Sequence, residues 1–108
     1  MDTTDGDAMT GQPVVLINAF EVPEGRDDEF LEAWQRAADA LKGQDGYLTA
    51  HLHRSLAPNA DFRFVNVALW ESAEAFTAAT SRPEFRAKTP PFPFHPALYE
   101  VVREADRA

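Results

Sequence analysis

The sequence predicts an α+β fold in which one antiparallel sheet carries helices on one face, in a split βαβ arrangement. Three observations predict it. Apolar residues alternate with period two in four segments, recur at spacings of three and four in two others, and the segments follow one another as β-α-β-β-α-β.

Val14 to Val22 (VVLINAFEV) forms the first strand, enriched in Val, Ile and Phe. Successive strand side chains point to opposite sides, so Leu16, Asn18, Phe20 and Val22 share one face and Val15, Ile17, Ala19 and Glu21 the other. PEGRDD breaks it. From Asp27 to Lys42, Phe30, Leu31, Trp34, Ala37, Ala38 and Leu41 mark an amphipathic helix, with Phe30 and Trp34 expected in the core. Asp27, Asp28 and Glu29 load the first turn with the charge its dipole favours, and Gly43 is the stop.

YLTAHLHRSL is the second strand, with Leu48, Ala50, Leu52 and Leu56 against Tyr47, Thr49, His51, His53 and Ser55. PNAD turns the chain back, so the third strand, Phe62 to Trp70, pairs with it as a hairpin. Phe62, Phe64, Asn66, Ala68 and Trp70 then point one way, and Val65, Val67 and Leu69 the other. Ser72 caps a second helix running through Thr80, with Ala75, Phe76 and Ala79 inward. Pro83 suits the first turn of a short third helix, PEFRAK. TPPFPFHP holds four prolines in eight residues and reads as a wrapping loop. ALYEVVRE closes the chain as a last strand, Ala97, Tyr99, Val101 and Arg103 alternating with Leu98, Glu100 and Val102.

This order is the ferredoxin-like one, and its helices cover only one face of the sheet. The other face carries Val15, Ile17, Ala19, Val65, Val67 and Leu69, too apolar to stay wet, which predicts a homodimer packed sheet to sheet. The 108 residues fit a single domain over residues 13–104. The polar, acidic residues 1–12 are expected to be a disordered tail and 105–108 a C-terminal tail.

With 18 acidic against 10 basic residues and a formal net charge of −8, the chain repels phosphate backbones and anionic lipid surfaces. Nucleic acid and membrane are therefore not expected partners. The absence of cysteine removes disulfides, thiol nucleophiles and Cys-ligated metals. No apolar run approaches the roughly 18 residues of a spanning helix, and the first residues lack the basic and apolar regions of a leader, so a cytoplasmic location is expected. No glycine-rich phosphate loop or flavin or nicotinamide motif is visible, and His51 and His53 lack a carboxylate partner for a metal. The expectation is no cofactor and no metal.

Asn66 raises the functional question. An amide in the middle of an aromatic face needs a hydrogen-bond partner, either elsewhere in the protein or on a bound molecule.

VVLINAFEVPEG, DGYL, FRFVNVALWESAEAF, PEFR and HPALYEVV together resemble the antibiotic-biosynthesis monooxygenase family over residues 14 to 103. The resemblance implies a dimeric α+β barrel, a scaffold that hosts oxygenases, haem degraders, cyclases and proteins of no known activity. In the haem-degrading branch, a first-strand Asn matches Asn18, but the Trp and the iron-ligating His fall at Ala79 and Thr89. Loss of the axial ligand argues against haem degradation.

The branch resembling cofactor-independent oxygenases of aromatic polyketide pathways matches at Asn18, Asn66, Trp70 and Arg86. A Tyr of some members falls at Phe76. The resemblance implies a small aromatic substrate and dioxygen: the pocket stabilises a phenolate or enolate, that anion reduces dioxygen, and a hydroperoxide loses water to leave a quinone. Asn18 and Asn66 would donate to the oxyanion, Arg86 would add positive charge, and Trp70 an aromatic wall. Phe20, Phe62, Phe64, Phe76 and Phe85 would line the cavity, with His95 an acid or base at its mouth.

Each residue also has a purely architectural reading: Trp70 as packing, Asn66 as the anchor of a loop, Arg86 as a surface ion pair, His95 as a loop anchor. Two further functions stand beside the oxygenase, a polyketide cyclase or isomerase and a non-catalytic ligand-binding or stress-response protein.

Overall fold

The computed structural model describes residues 12–107. The tail expected over 1–12 lies, apart from Gln12, outside the described residues, as does Ala108. Four strands, β1 (Val14–Phe20), β2 (Tyr47–Arg54), β3 (Phe64–Trp70) and β4 (Phe94–Tyr99), form one antiparallel sheet in the order β2-β3-β1-β4. Helices α1 (Asp27–Leu41), α2 (Ala73–Thr80) and α3 (Pro83–Arg86) complete the ferredoxin-like order. No described helix is long and apolar enough to cross a membrane.

The β1–β3 register decides what each face carries. Leu16 pairs with Ala68, Asn18 with Asn66 and Phe20 with Phe64 on the helix-covered face; Val15, Ile17 and Ala19 pair with Leu69, Val67 and Val65 on the open one. Two apolar clusters form under the helices. One gathers Phe20, Phe30, Phe64 and Phe92, with Phe30 stacked on Phe64 at 4.6 Å between ring centroids. The other gathers Leu16, Ala68, Trp70 and Ala79. Phe30 and Trp70 are fully buried, and each such aromatic contributes about 3 kcal/mol of apolar burial. The Asn18–Asn66 pair lies between the two clusters, so a polar seam divides the core.

Local chemistry sets the helix ends as the sequence predicts. The acidic first turn of α1 holds Asp27, Asp28 and Glu29, and Gly43, at φ +82°, follows its end in the left-handed conformation that favours glycine. Ser72 Oγ accepts the Ala75 N–H at 3.1 Å, capping α2, and Pro83 opens α3. Arg63 ties the β2–β3 connection to α1 by donating from Nη2 to Asp27 Oδ2 at 2.8 Å and from Nη1 to the Ser55 carbonyl at 3.2 Å.

Several strand bounds differ from expectation. β1 and β2 end at Phe20 and Arg54, short of Val22 and Leu56, and β3 begins at Phe64, leaving Phe62 outside the sheet and exposed. The last strand begins inside the proline-rich segment and stops at Tyr99. Its only neighbour among the described strands is β1, an arrangement that suits Pro96: Glu21 N–H donates to the Pro93 carbonyl at 3.0 Å, and by alternation the Pro96 nitrogen faces away from β1. Tyr99 pairs with Val15, so a continued strand would bring Val101 opposite Pro13, which has no N–H to give. Val101 and Val102 are accordingly exposed and in no strand.

Candidate active site

Between the helix-covered face of the sheet and the helices lies a cavity of about 540 Å³. β1 and β3 supply its floor with Leu16, Asn18, Phe20, Asn66, Ala68 and Trp70. Trp34, Ala37, Ala38 and Leu41 of α1 form one wall; Phe76 and Thr80 of α2, with Phe85 and Arg86 of α3, form another. Tyr47 and Ala50 of β2, Thr89 and Pro90 after α3, and Phe94 and Pro96 of β4 close the rest. The space exists because small side chains, Ala37, Ala38, Ala50 and Ala68, stand where larger ones would fill the core.

The two amides are chemically distinct. Asn18 Oδ1 accepts the His95 backbone N–H at 3.1 Å, which leaves its Nδ2 as the donor. Asn66 is buried, and its Oδ1 has no hydrogen-bond partner among the described residues; Trp70 is fully buried, and its Nε1 has none among them either. An unsatisfied buried polar atom costs about 1–3 kcal/mol, so two on one face of β3, on residues of the cavity floor, call for an explanation. Rotation of the Asn66 amide exchanges Oδ1 and Nδ2, so it can meet a hydroxyl or an oxyanion.

Charge in the cavity is sparse. Among the described residues, Arg86, exposed, is its one charged lining residue, and Tyr47 its one phenol, whose pKa burial pushes up. The lining, among the described residues, contains no imidazole, thiol or carboxylate. Among the described residues no cluster of three His, Cys, Asp or Glu is placed to hold a metal ion.

The structure brings Asn18, Asn66, Trp70, Arg86, Phe20, Phe76 and Phe85 together on this cavity. It places three of the expected residues elsewhere. Phe64 is buried behind the cavity, under Phe30. Phe62 precedes β3, so the strand alternation that would aim it inward does not reach it. His95 belongs to β4, pairs with Ala19 and points to the open face, where Nε2 lies 2.7 Å from Glu21 Oε2 and the ring meets Phe62 edge-on at 5.3 Å. Trp34, read from its spacing as core, lines the cavity, as do Tyr47 and Phe94. A bulge between Tyr47 and Thr49 and an unforeseen strand start hid the latter two.

Comparison with known proteins agrees with this architecture. A protein of Shewanella loihica PV-4 superposes with a TM-score of 0.77 at 36% identity, over 85% of this chain and 96% of that one. SnoaB, a cofactor-independent oxygenase from Streptomyces nogalater, superposes with a TM-score of 0.73 at 25% identity, over 85% and 95%. A mycobilin-producing haem oxygenase of Mycobacterium tuberculosis is 37% identical over 75 residues, 69% of this chain and 70% of that protein. Residues 13–88, which supply every strand but the last and all three helices, match the sequence pattern of antibiotic biosynthesis monooxygenases, and the chain belongs to that family.

Proposed function

We propose that the protein is a homodimeric, cofactor-independent monooxygenase that uses dioxygen to oxidise an aromatic, polyketide-like phenol or anthrone to a quinone. One observation carries this reading: Asn66 and Trp70 line a mainly apolar cavity, and among the described residues their Oδ1 and Nε1 atoms are buried without hydrogen-bond partners. An aromatic ring system fits the apolar walls, and its oxygen substituents complete the two groups.

The chemistry follows from what the lining can do. The phenol loses its proton to solvent, since among the described residues no lining side chain is a base near neutrality, and Arg86 and the Asn18 Nδ2 donor favour the anion. The anion passes one electron to dioxygen, and the two radicals combine to form a C–O bond. Protonation gives a hydroperoxide at the former CH2 carbon; loss of the remaining C–H proton with O–O cleavage releases water and leaves C=O. The balance is CH2 + O2 giving C=O + H2O. Trp70 Nε1 and Asn66 stabilise the oxygen where charge builds, and a single such donor contributes about 3 kcal/mol of barrier lowering.

The haem oxygenase among its relatives calls for a second reading to be weighed. The residue types at two matched positions speak against haem. The positions matched to the haem branch's Trp and His are Ala79, buried in the core, and Thr89, whose hydroxyl is no axial ligand. Among the described residues, Tyr47 is the cavity's one residue of a ligating type, and burial disfavours its tyrosinate.

The dimer completes the fold. Val15, Ile17, Ala19, Val65 and Val67 are half-buried and Leu69 is exposed on the open face, and a second copy of the same face would cover them. Val67→Lys should convert a sedimenting dimer to monomer.

Oxygen uptake by metal-stripped protein with an anthrone tests the activity. Stoichiometric uptake with quinone formation is expected. Equal turnover without dioxygen would instead establish a cyclase or isomerase, binding without turnover a ligand-binding protein, and a haemin titration with a sharp Soret shift and haem breakdown the haem reading.

A further inference from the structure

Tyr47 is held in the cavity wall by an unusually constrained backbone. Gly46, at φ +86°, lies so close to α2 that a Cβ there would collide with the Ala75 Cβ. Its carbonyl accepts the Glu71 N–H at 2.8 Å, and Tyr47 N–H donates to the Gln44 carbonyl at 3.2 Å. The β-bulge between Tyr47 and Thr49 then breaks the alternation of β2. Thr49, His51 and His53 pair with Leu69, Val67 and Val65 and take the open face, whereas Tyr47 pairs with Trp70 and takes the cavity face.

The ring meets Trp70 edge-on at 5.3 Å, and Phe76 meets Trp70 edge-on at 5.5 Å, so the indole is clasped between two aromatics. Phenylalanine at 47 would pack as well. The hydroxyl makes no hydrogen bond to any described residue, although the side chain is half-buried. Packing therefore explains the ring and leaves the hydroxyl without a structural task.

We propose that Tyr47 is a ligand-contacting residue of this cavity, its hydroxyl donating to a carbonyl or phenolate oxygen of the bound aromatic at the Trp70 end. The inference rests on the aromatic-phenol reading of the site. It gives the cavity a neutral donor beside Trp70 Nε1 and selects oxygenated polycycles over hydrocarbons of the same shape, because a donor left unsatisfied penalises the ligand that lacks the acceptor. Burial, which pushes the phenol's pKa up, keeps it a donor around neutrality.

Two probes separate this role from packing: alizarin, whose absorption reports both binding and ionisation of its phenol, and anthracene, a tricycle without oxygen. In the wild type, alizarin should bind with its phenol more acidic than in water. Tyr47→Phe should weaken alizarin binding about tenfold, the size of one hydrogen bond to a charged oxygen, and return the bound phenol toward its solution acidity. Anthracene affinity and the melting temperature should stay as in the wild type. Unchanged alizarin affinity and ionisation in Tyr47→Phe, with a loss of binding in Asn66→Ala, would overturn the Tyr47 inference and leave the site reading standing. A wild type that binds neither probe would overturn both.

Discussion

Asn18 and Asn66 face each other directly across β1 and β3, yet only one is satisfied: Asn18 Oδ1 holds the His95 N–H at 3.1 Å, whereas Asn66 Oδ1 has no partner. Truncating the two should therefore have opposite structural consequences. Asn66→Ala removes an unsatisfied buried group and strands nothing, so stability should stay within about 1 kcal/mol of wild type. If the amide contacts the reacting oxygen, kcat should fall about 100-fold or more. Asn18→Ala removes its hydrogen bond with the exposed His95 N–H and the Nδ2 donor, and should lower the melting temperature modestly and kcat as well. Thermal melts paired with oxygen uptake read both effects, and an Asn66→Ala protein that unfolds would show the amide to be architectural.

The same logic separates His95 from the site. Its imidazole lies 2.7 Å from Glu21 Oε2 and against the exposed Phe62 ring, on the face of β4 away from the cavity. What His95 gives the cavity is its backbone N–H to Asn18, which any residue but proline retains. His95→Ala should leave kcat/KM within about twofold of wild type, inside the usual range of an exposed substitution. A steep loss would return the imidazole to the chemistry.

How far the site can be read from sequence follows from where alternation holds. On β1 and the body of β3 the pleat is unbroken, and the cross-strand meeting of Asn18 with Asn66, one pair away from Leu16–Ala68, follows from period two and a hairpin. Phe62 lies two residues before the start of β3, where alternation no longer says which way a side chain points. Tyr47 was hidden by a bulge, which reverses a face without leaving a mark in the hydrophobic pattern. Phe94 was hidden by prolines that exclude an inner strand but are compatible with an edge. Trp34 illustrates a different limit: helical spacing says that a residue faces inward, not whether it meets core or cavity.

Asp27 gives the fold an acid-sensitive tie. Arg63, donating to both of its oxygens, holds the Asp27 carboxyl below the usual carboxylate range. A carboxyl depressed in the native state binds protons more readily when unfolded. Its contribution is thus complete above the unfolded carboxyl value and drains away as pH falls through the native one. Arg63→Met should lower the melting temperature at neutral pH, and the gap to wild type should narrow steadily on acidification. A gap independent of pH would assign Arg63's role to packing and to its bond with the Ser55 carbonyl.

Gly46 and Gly25 share φ +86°, so a comparison between them isolates the close approach that places Tyr47. Alanine at either position takes on the left-handed strain, about 1 kcal/mol or slightly more. At Gly25 nothing stands within 4 Å of the new Cβ, and the strain is the whole cost. At Gly46 the new Cβ would collide with Ala75, whose helix is fixed by the Ser72 cap and by the Glu71 N–H on the Gly46 carbonyl. Overpacking there adds about 1–3 kcal/mol. Gly46→Ala should therefore unfold at distinctly lower denaturant concentration than Gly25→Ala. It should also disturb the Tyr47–Trp70 contact, seen as altered indole fluorescence or near-ultraviolet dichroism of the folded variant. Equal midpoints for the two variants would mean that α2 yields to the added methyl, and that the bulge alone holds Tyr47 against Trp70.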